Sequence, residues 1–256
     1  MSLVSLFVLA AIVMVPVAAG AAPHVRLMTY NLNYGNPTPK VSMDAIANAD
    51  CDIVVLQEIS EAWRTALRDR FGKQYPHHAY RLHGHGGGQA VLSKLPLTSE
   101  EAWAPLQGAG WFPARRIVVA SPLGPLQILN VHLRPARDDG SWIKGFTSTP
   151  PLRKKEIEAH WKLMDRTLPT IVAGDFNEDD TGLAVDFLQH AGLVRVPTTG
   201  PRTWHYEVEV NGKISDLLKM DIDHVMIDGH LVGSEAKVLD AGTSDHRPVI
   251  VTIARK

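Results

Sequence analysis

The 256 residues suffice for one large domain with a substantial core, and 45% hydrophobic with 21% charged residues is an ordinary globular composition. A formal net charge of −1 argues against a protein that grips nucleic acid chiefly through a basic surface, though a local basic groove remains compatible. Cys51 is the only cysteine, which excludes an intrachain disulfide and a thiolate metal cluster, so the fold must rest on its core.

In chain order, the first 23 residues carry no charge, and Leu3 to Val17 is nearly all apolar. Small residues follow, with an A-x-A type site at Ala19-Gly20-Ala21. The segment 1–22 reads as a secretory signal peptide that makes the protein secreted or periplasmic; an uncleaved N-terminal anchor is the competing reading. It departs from the usual pattern in having no Lys or Arg before the apolar run. A single domain over 23–256 is expected, with no repeat or linker inside it.

Strands are expected at Arg26–Asn31, Asp52–Gln57, His78–Leu82, Ala90–Ser93, Arg116–Ala120, Leu126–Leu133, Thr170–Ala173, Asp223–Ile227, Ala236–Leu239 and Pro248–Ile253. Helices are expected at Val41–Ala49, Glu61–Phe71, Leu152–Arg166 and Leu183–Ala191. Ser60 and Thr181 read as caps and Gly192 as a helix stop. Many strands and few helices in mixed order predict an α/β fold of two sheets packed face to face with helices outside. Residues 134–151, rich in Gly, Pro, Asp and Ser around Trp142 and Phe146, read as a long exposed loop of functional type.

Six apolar runs end or begin on polar side chains. The first ends on Asn31 and the second on Glu58. A third carries His132 near its end. Gly174 interrupts Ile171-Val-Ala, and Asp175 and Asn177 follow two apart, on one side of an extended chain. Asp221, Asp223 and His224 open a fifth, and Asp245-His246 precedes the last. Each alone has a plain reading: Asn31 as a strand terminator, Glu58 as a helix-start acid, His132 as a strand histidine, Asp245 as a turn residue. Together they form an oxygen-rich metal site with imidazoles beside it. A hard divalent cation such as Mg²⁺ prefers such oxygens, and Glu58 with Asp245 and Asn31 can hold it. Asp175 can orient or deprotonate water, while Asn177 and the histidines donate to phosphoryl oxygens. Asp223 is the natural partner for His246.

The chain resembles the endonuclease/exonuclease/phosphatase superfamily of metal-dependent phosphoesterases over residues 25–254. The resemblance is carried in order by Thr29-Tyr30-Asn31, Leu56-Gln57-Glu58, Gly88-Gln-Ala-Val-Leu-Ser93-Lys, Asn130-Val131-His132-Leu133, Gly174-Asp175-Phe176-Asn177, Ile222-Asp223-His224-Val225 and Ser244-Asp245-His246-Arg247-Pro248. It implies a four-layered α/β sandwich with the site at one end of two mixed sheets. It implies Asn31 and Glu58 at a Mg²⁺ or Mn²⁺ ion with Asp245 close by, His132 on the phosphate, Asp175 activating water and Asn177 steadying the transition state. It further implies that Asp223 orients His246, a general base or phosphate stabiliser. Arg115 or Arg116 falls near the family's strand arginine.

The expected activity is hydrolysis of a phosphodiester in nucleic acid or a phospholipid head group; a phosphomonoesterase and a non-catalytic binding module are the alternatives. The 134–151 loop is a candidate for contact with a membrane surface, and a monomer without a stable protein partner is expected. Three departures stand out. The Leu82–Gly88 stretch is rich in Gly and His and reads as a flexible loop, Asp221 sits where many relatives carry a basic residue, and Arg153-Lys154-Lys155 reads as a solvated helix face.

Overall fold

The computed structural model describes residues 22–36, 39–210 and 213–256. All but the last residue of the expected signal segment lie outside the described residues. The first part of the chain gives β1 (His24–Asn31), α1 (Pro39–Ala49), β2 (Ile53–Gln57), α2 (Glu61–Phe71), β3 (His77–Arg81) and β4 (Gln89–Ser93). Next come β5 (Leu97–Trp103), β6 (Ala114–Ser121), β7 (Gly124–His132), α3 (Trp142–Ser148), α4 (Pro150–Lys162), β8 (Thr170–Asp175), α5 (Leu183–His190) and β9 (Val194–Arg195). A separate hairpin, β10 (Trp204–Val210) with β11 (Lys213–Met220), leads to β12 (Asp223–Ile227), β13 (Leu231–Val238) and β14 (Val249–Arg255).

Two six-stranded mixed sheets result, ordered β13-β14-β1-β2-β4-β3 and β5-β6-β7-β8-β12-β9. Alternation along each strand sorts the apolar residues into layers. Val25, Leu27, Ile53, Val55, Ile128, Ile171, Ala173, Val225 and Val251 pack between the sheets. Met28, Tyr30, Val54 and Leu56 face the other way, onto Ile46 of α1 and Trp63, Leu67 and Phe71 of α2. Leu129, Val131 and Val172 take Ile157 and Trp161 of α4 and Ala184 and Leu188 of α5. This is the expected four-layered α/β sandwich.

The same alternation carries polar residues into the inter-sheet space at one end. Asn31 continues the series Val25, Leu27, Thr29, and His132 continues Leu126, Ile128, Asn130. Pairing then aligns them: His132 lies opposite Asp175 across the parallel β7–β8 pair, and Asp175 opposite Asp223 across β8–β12. Asp223 and His224 are thereby separated in role, because adjacent strand residues face opposite sides.

Several local expectations change. β8 runs on to Asp175 through Gly174, whose φ is +145° and where a Cβ would sit 2.0 Å from Val131 O, so glycine permits close strand approach instead of ending the strand. Residues 142–148, expected as loop, form α3, capped by Ser141 accepting from Lys144 N. Thr181 is not the α5 cap; Gly182 occupies that place, and the buried carboxylate of Glu178 accepts from Ala184 N and Val185 N at 2.6 and 3.1 Å. Ser60 does cap α2, accepting from Trp63 N. Arg153 is no solvated cation: it is buried against Glu178 at 2.8 Å. Strands β5, β9, β10 and β11 had no expected counterpart; β5 and β9 lie at sheet edges and β10 and β11 stand apart, although Trp204–Val210 alternates apolar and polar residues throughout.

Candidate active site

A cleft of about 720 Å³ opens over the polar end of the sandwich, with Glu58, His132, Asp175, Asn177, Asp245 and His246 in its lining. Of the eight residues expected at the site, Asn31, His132, Asp175 and Asp223 come from inward-facing strand ends, and Glu58 and Asn177 from the segments just beyond. Glu58 would point outward by alternation, but its φ of +58° turns the chain at the end of β2. Asn33 and Asn177, at φ +56° and +52°, make similar turns after β1 and β8.

Asn31 links the two sheets, donating through Nδ2 to Glu58 Oε1 at 3.1 Å and to Asp175 Oδ2 at 3.0 Å. Its Oδ1 accepts from Asn33 N. His132 Nε2 stands 3.5 Å from Asp175 and 3.9 Å from Glu58. Its Nδ1 lies 3.0 Å from the Gly86 carbonyl, and its ring stacks on Phe112 with centroids 4.1 Å apart. The carbonyl can only accept, so Nδ1 bears the proton and Nε2 faces the acids. The Gly/His stretch is thus a built element: a short 3₁₀ turn over His85–Gly87 that orients His132 and lies against Glu58, 3.2 Å from a Cβ at Gly86.

His246 Nδ1 is 2.9 Å from Asp223 Oδ2, and its Nε2 is 3.6 Å from Asp175. Burial disfavours charge on this ring, yet the Asp223 and Asp175 carboxylates outweigh it and raise its pKa well above the usual value. His132 goes the other way, lowered by burial that Asp175 only partly offsets. Burial raises both Asp175 and Glu58, the latter opposed by the Asn31 amide. Asp245 is lowered: burial opposes its ionisation, but His246, Asn33 and Trp204 favour it. Asn33 Nδ2 and Trp204 Nε1 hold its two oxygens at 2.9 and 3.0 Å.

Four carboxylates, Glu58, Asp175, Asp223 and Asp245, therefore meet two imidazoles, with no lysine or arginine on the floor among the described residues. Asp175, Asp223 and His246 bring ligand-type atoms within 4.8 Å of one another. Asp223 Oδ2 is bonded to His246 while its buried Oδ1 has no protein partner, and the Glu58 oxygens accept from Asn31 Nδ2 and Tyr34 N at 3.1 and 3.3 Å. A site so rich in oxygen and so poor in cationic side chains fits a hard divalent ion.

Asp221 lies outside this centre, paired with Arg202 and accepting from Thr203 N. His224 faces the α5 side, with Nε2 2.9 Å from Glu178 O. Neither doublet arginine lines the cleft: Arg115 is fully buried beneath it and paired with Glu100, while Arg116 faces outward to Gln127 and Glu101. The residues not anticipated are those that hold or wall the site: Asn33, Phe112, Trp111, Tyr34 and Tyr206. Asn33, two after Asn31, was readable at period two; the aromatics carry no local signal.

Solved structures share this fold at low identity. An endonuclease/exonuclease/phosphatase from Beutenbergia cavernae matches with TM-score 0.67 and 18% identity over 91% of this chain and 72% of its own. Sphingomyelinase C from Streptomyces griseocarneus matches with TM-score 0.66 and 18% identity over 90% and 99%. D. rerio TDP2, solved with a single-stranded DNA product, matches with TM-score 0.66 and 16% identity over 90% and 98%. None of the curated proteins compared with the chain matches it in sequence. The model of the Endonuclease/Exonuclease/phosphatase family matches residues 28–246, which span every strand-end residue described above. The chain belongs to that family of phosphoester hydrolases.

Proposed function

We propose that the protein is a divalent-metal phosphodiesterase that cleaves a P–O bond by in-line attack of water. The observation that carries this reading is the convergence of Glu58, Asn31 and Asp245 beside the His132–Asp175–His246 row. Glu58, with Asn31 and Asp245, would hold Mg²⁺ or Mn²⁺, which polarises a phosphoryl oxygen and stabilises the leaving oxyanion. Asp175, whose pKa burial raises against the opposing His246 charge, accepts the proton of the attacking water. Asn177 donates to the phosphoryl oxygens, and His132, whose Nδ1 proton faces the Gly86 carbonyl, donates through Nε2 once that nitrogen takes up a proton. Asp223 fixes the His246 ring and supports its charge.

A diester is favoured over a monoester by charge. Arg137 is the guanidinium in the cleft lining, since Arg134 is committed to the Trp111 face and Ala109 O. A dianionic phosphate would meet the carboxylate floor with little compensation, whereas a diester brings one charge. The rim also bears on the substrate. Ile143 of α3 is 85% exposed beside Trp142, and Leu217 and Leu218 are exposed on the hairpin beyond Tyr206. Aliphatic side chains give no base stacking, so these residues support a lipid-bound phosphodiester reached from a membrane surface, with the α3 segment of 134–151 as contact. The uncharged leading segment supports secretion or periplasmic residence, or an N-terminal anchor.

Purified protein offered bis(p-nitrophenyl) phosphate, DNA and phosphocholine vesicles, each with and without EDTA, tests the reading. Metal-dependent hydrolysis of a diester is expected. Turnover unaffected by EDTA, or hydrolysis of monoesters alone, refutes it.

A further inference from the structure

One layer of buried amides and hydroxyls separates the floor of the cleft from the apolar inter-sheet core. Thr29, Gln57 and Gln89 come from the first sheet and Asn130 from the second. Asn130 Oδ1 accepts from Gln57 Nε2 at 2.7 Å, and Asn130 Nδ2 donates to Leu56 O at 3.1 Å. Gln57 Nε2 also donates to Thr29 Oγ1 at 3.1 Å, and Gln89 Nε2 reaches Asn130 O at 3.4 Å. One side chain thus holds both a side chain and a main-chain carbonyl of the opposite sheet.

A plain account is that buried amides simply need partners. Their place in the chain argues for more. Below this layer the sheets meet through Val, Ile, Leu and Ala side chains. Such contact is non-directional and resists sliding of one sheet over the other only weakly. Hydrogen bonds demand both distance and angle. The bonded residues are also next to the chemistry. Gln57 is followed by Glu58, and Asn130 precedes His132 on the same face of β7. Glu58 and His132 belong to opposite sheets and stand 3.9 Å apart.

We propose that Asn130 is a positioning residue: by bridging Gln57 and the Leu56 carbonyl it fixes the two sheets at the offset that sets Glu58 against His132 and Asp175. The inference rests on the metal-phosphodiesterase reading for its functional consequence. It touches neither metal nor substrate itself. Leucine at 130 has a similar volume but no hydrogen-bonding group, so it frees the offset while keeping the layer filled. A displacement of a fraction of an ångström at a preorganised site lowers rate and metal affinity far more than it lowers stability.

Asn130→Leu, Gln57→Leu and the double variant are compared with Val119→Ala, a cavity in the same inter-sheet core away from the cleft. Mn²⁺ binding by calorimetry, kcat and KM on bis(p-nitrophenyl) phosphate, and Tm are measured for each. Asn130→Leu is expected to weaken Mn²⁺ binding about 10-fold and lower kcat about 100-fold, with KM little changed. Gln57→Leu should act alike, and the double variant should add little, because the pair works as a unit. Val119→Ala should lower Tm with Mn²⁺ affinity and kcat intact. Asn130→Leu behaving like Val119→Ala overturns the proposal. Wild-type protein that neither binds Mn²⁺ nor hydrolyses a diester overturns the phosphodiesterase reading instead. The offset itself is then decided by a crystal structure of Asn130→Leu, or of Gln57→Leu if the former does not fold. An unchanged Glu58–His132 separation rejects the positioning role, and a wider one supports it.

Discussion

Glu156 gives the sharpest quantitative prediction. Its carboxyl is buried under the loops that wall the cleft; Oε2 accepts from Arg134 N at 2.9 Å, and Oε1 has no protein partner. Burial pushes its pKa from 4.5 up to about 7, against the opposing pull of the Arg134 amide and the Arg134 and Arg153 charges. A carboxyl whose pKa is raised by folding stabilises the fold fully below its unfolded pKa, and that contribution disappears as pH rises through the folded value. At about 1.36 kcal/mol per unit, wild type should lose about 2–3 kcal/mol between pH 5 and pH 8 from this group. Glu156→Gln keeps an acceptor for Arg134 N and cannot ionise. Its stability relative to wild type should therefore climb by about 2–3 kcal/mol over that interval, or roughly 5–10 °C in Tm for a domain of this size. Guanidinium unfolding of both proteins at pH 5, 6, 7 and 8 measures the difference. Curves that stay parallel across the interval refute the reasoning.

Asp175→Asn or His246→Ala should remove nearly all turnover, about 10³-fold or more, with circular dichroism unchanged; full activity in either would discard the assigned roles. Asp223→Asn should also cost about 10³-fold in kcat with KM nearly constant, because the His246 ring loses the partner that fixes its tautomer and charge. His160 stacks on Trp103, and burial lowers its pKa to about 4, so its contribution is lost as pH falls from 6.5 towards 4. His160→Phe should flatten the acid limb of the stability curve by about 2 kcal/mol between pH 7 and 4.5, and an unchanged limb would show that this ring does not titrate on unfolding. Trp142→Ala with Ile143→Ser should abolish flotation with phosphocholine vesicles while leaving hydrolysis of a soluble diester intact; undiminished flotation would remove α3 from the lipid contact.

The sequence by itself determined the class of fold and the strand faces on which its polar candidates lie. Period-two alternation places Asn31, His132, Asp175 and Asp223 in line with buried apolar residues, and that follows from the backbone geometry of any strand. It also separates Asp223 from His224 once the inward face is known. Tertiary structure decided everything that depends on which strands are neighbours. Only pairing of β7, β8 and β12 sets His132, Asp175 and Asp223 in one row, and only sheet-on-sheet packing sets Glu58 against His132. The same limit explains Arg153, whose sequence neighbours read as a solvated basic face although Glu178, 25 residues away, buries it. It explains the doublet arginines too, since the inward face of β6 was not readable without its partners. Local patterns record what a side chain needs from its own strand or helix. Contacts between elements far apart in the chain are fixed by the sum of packing over the whole core, which no local pattern records.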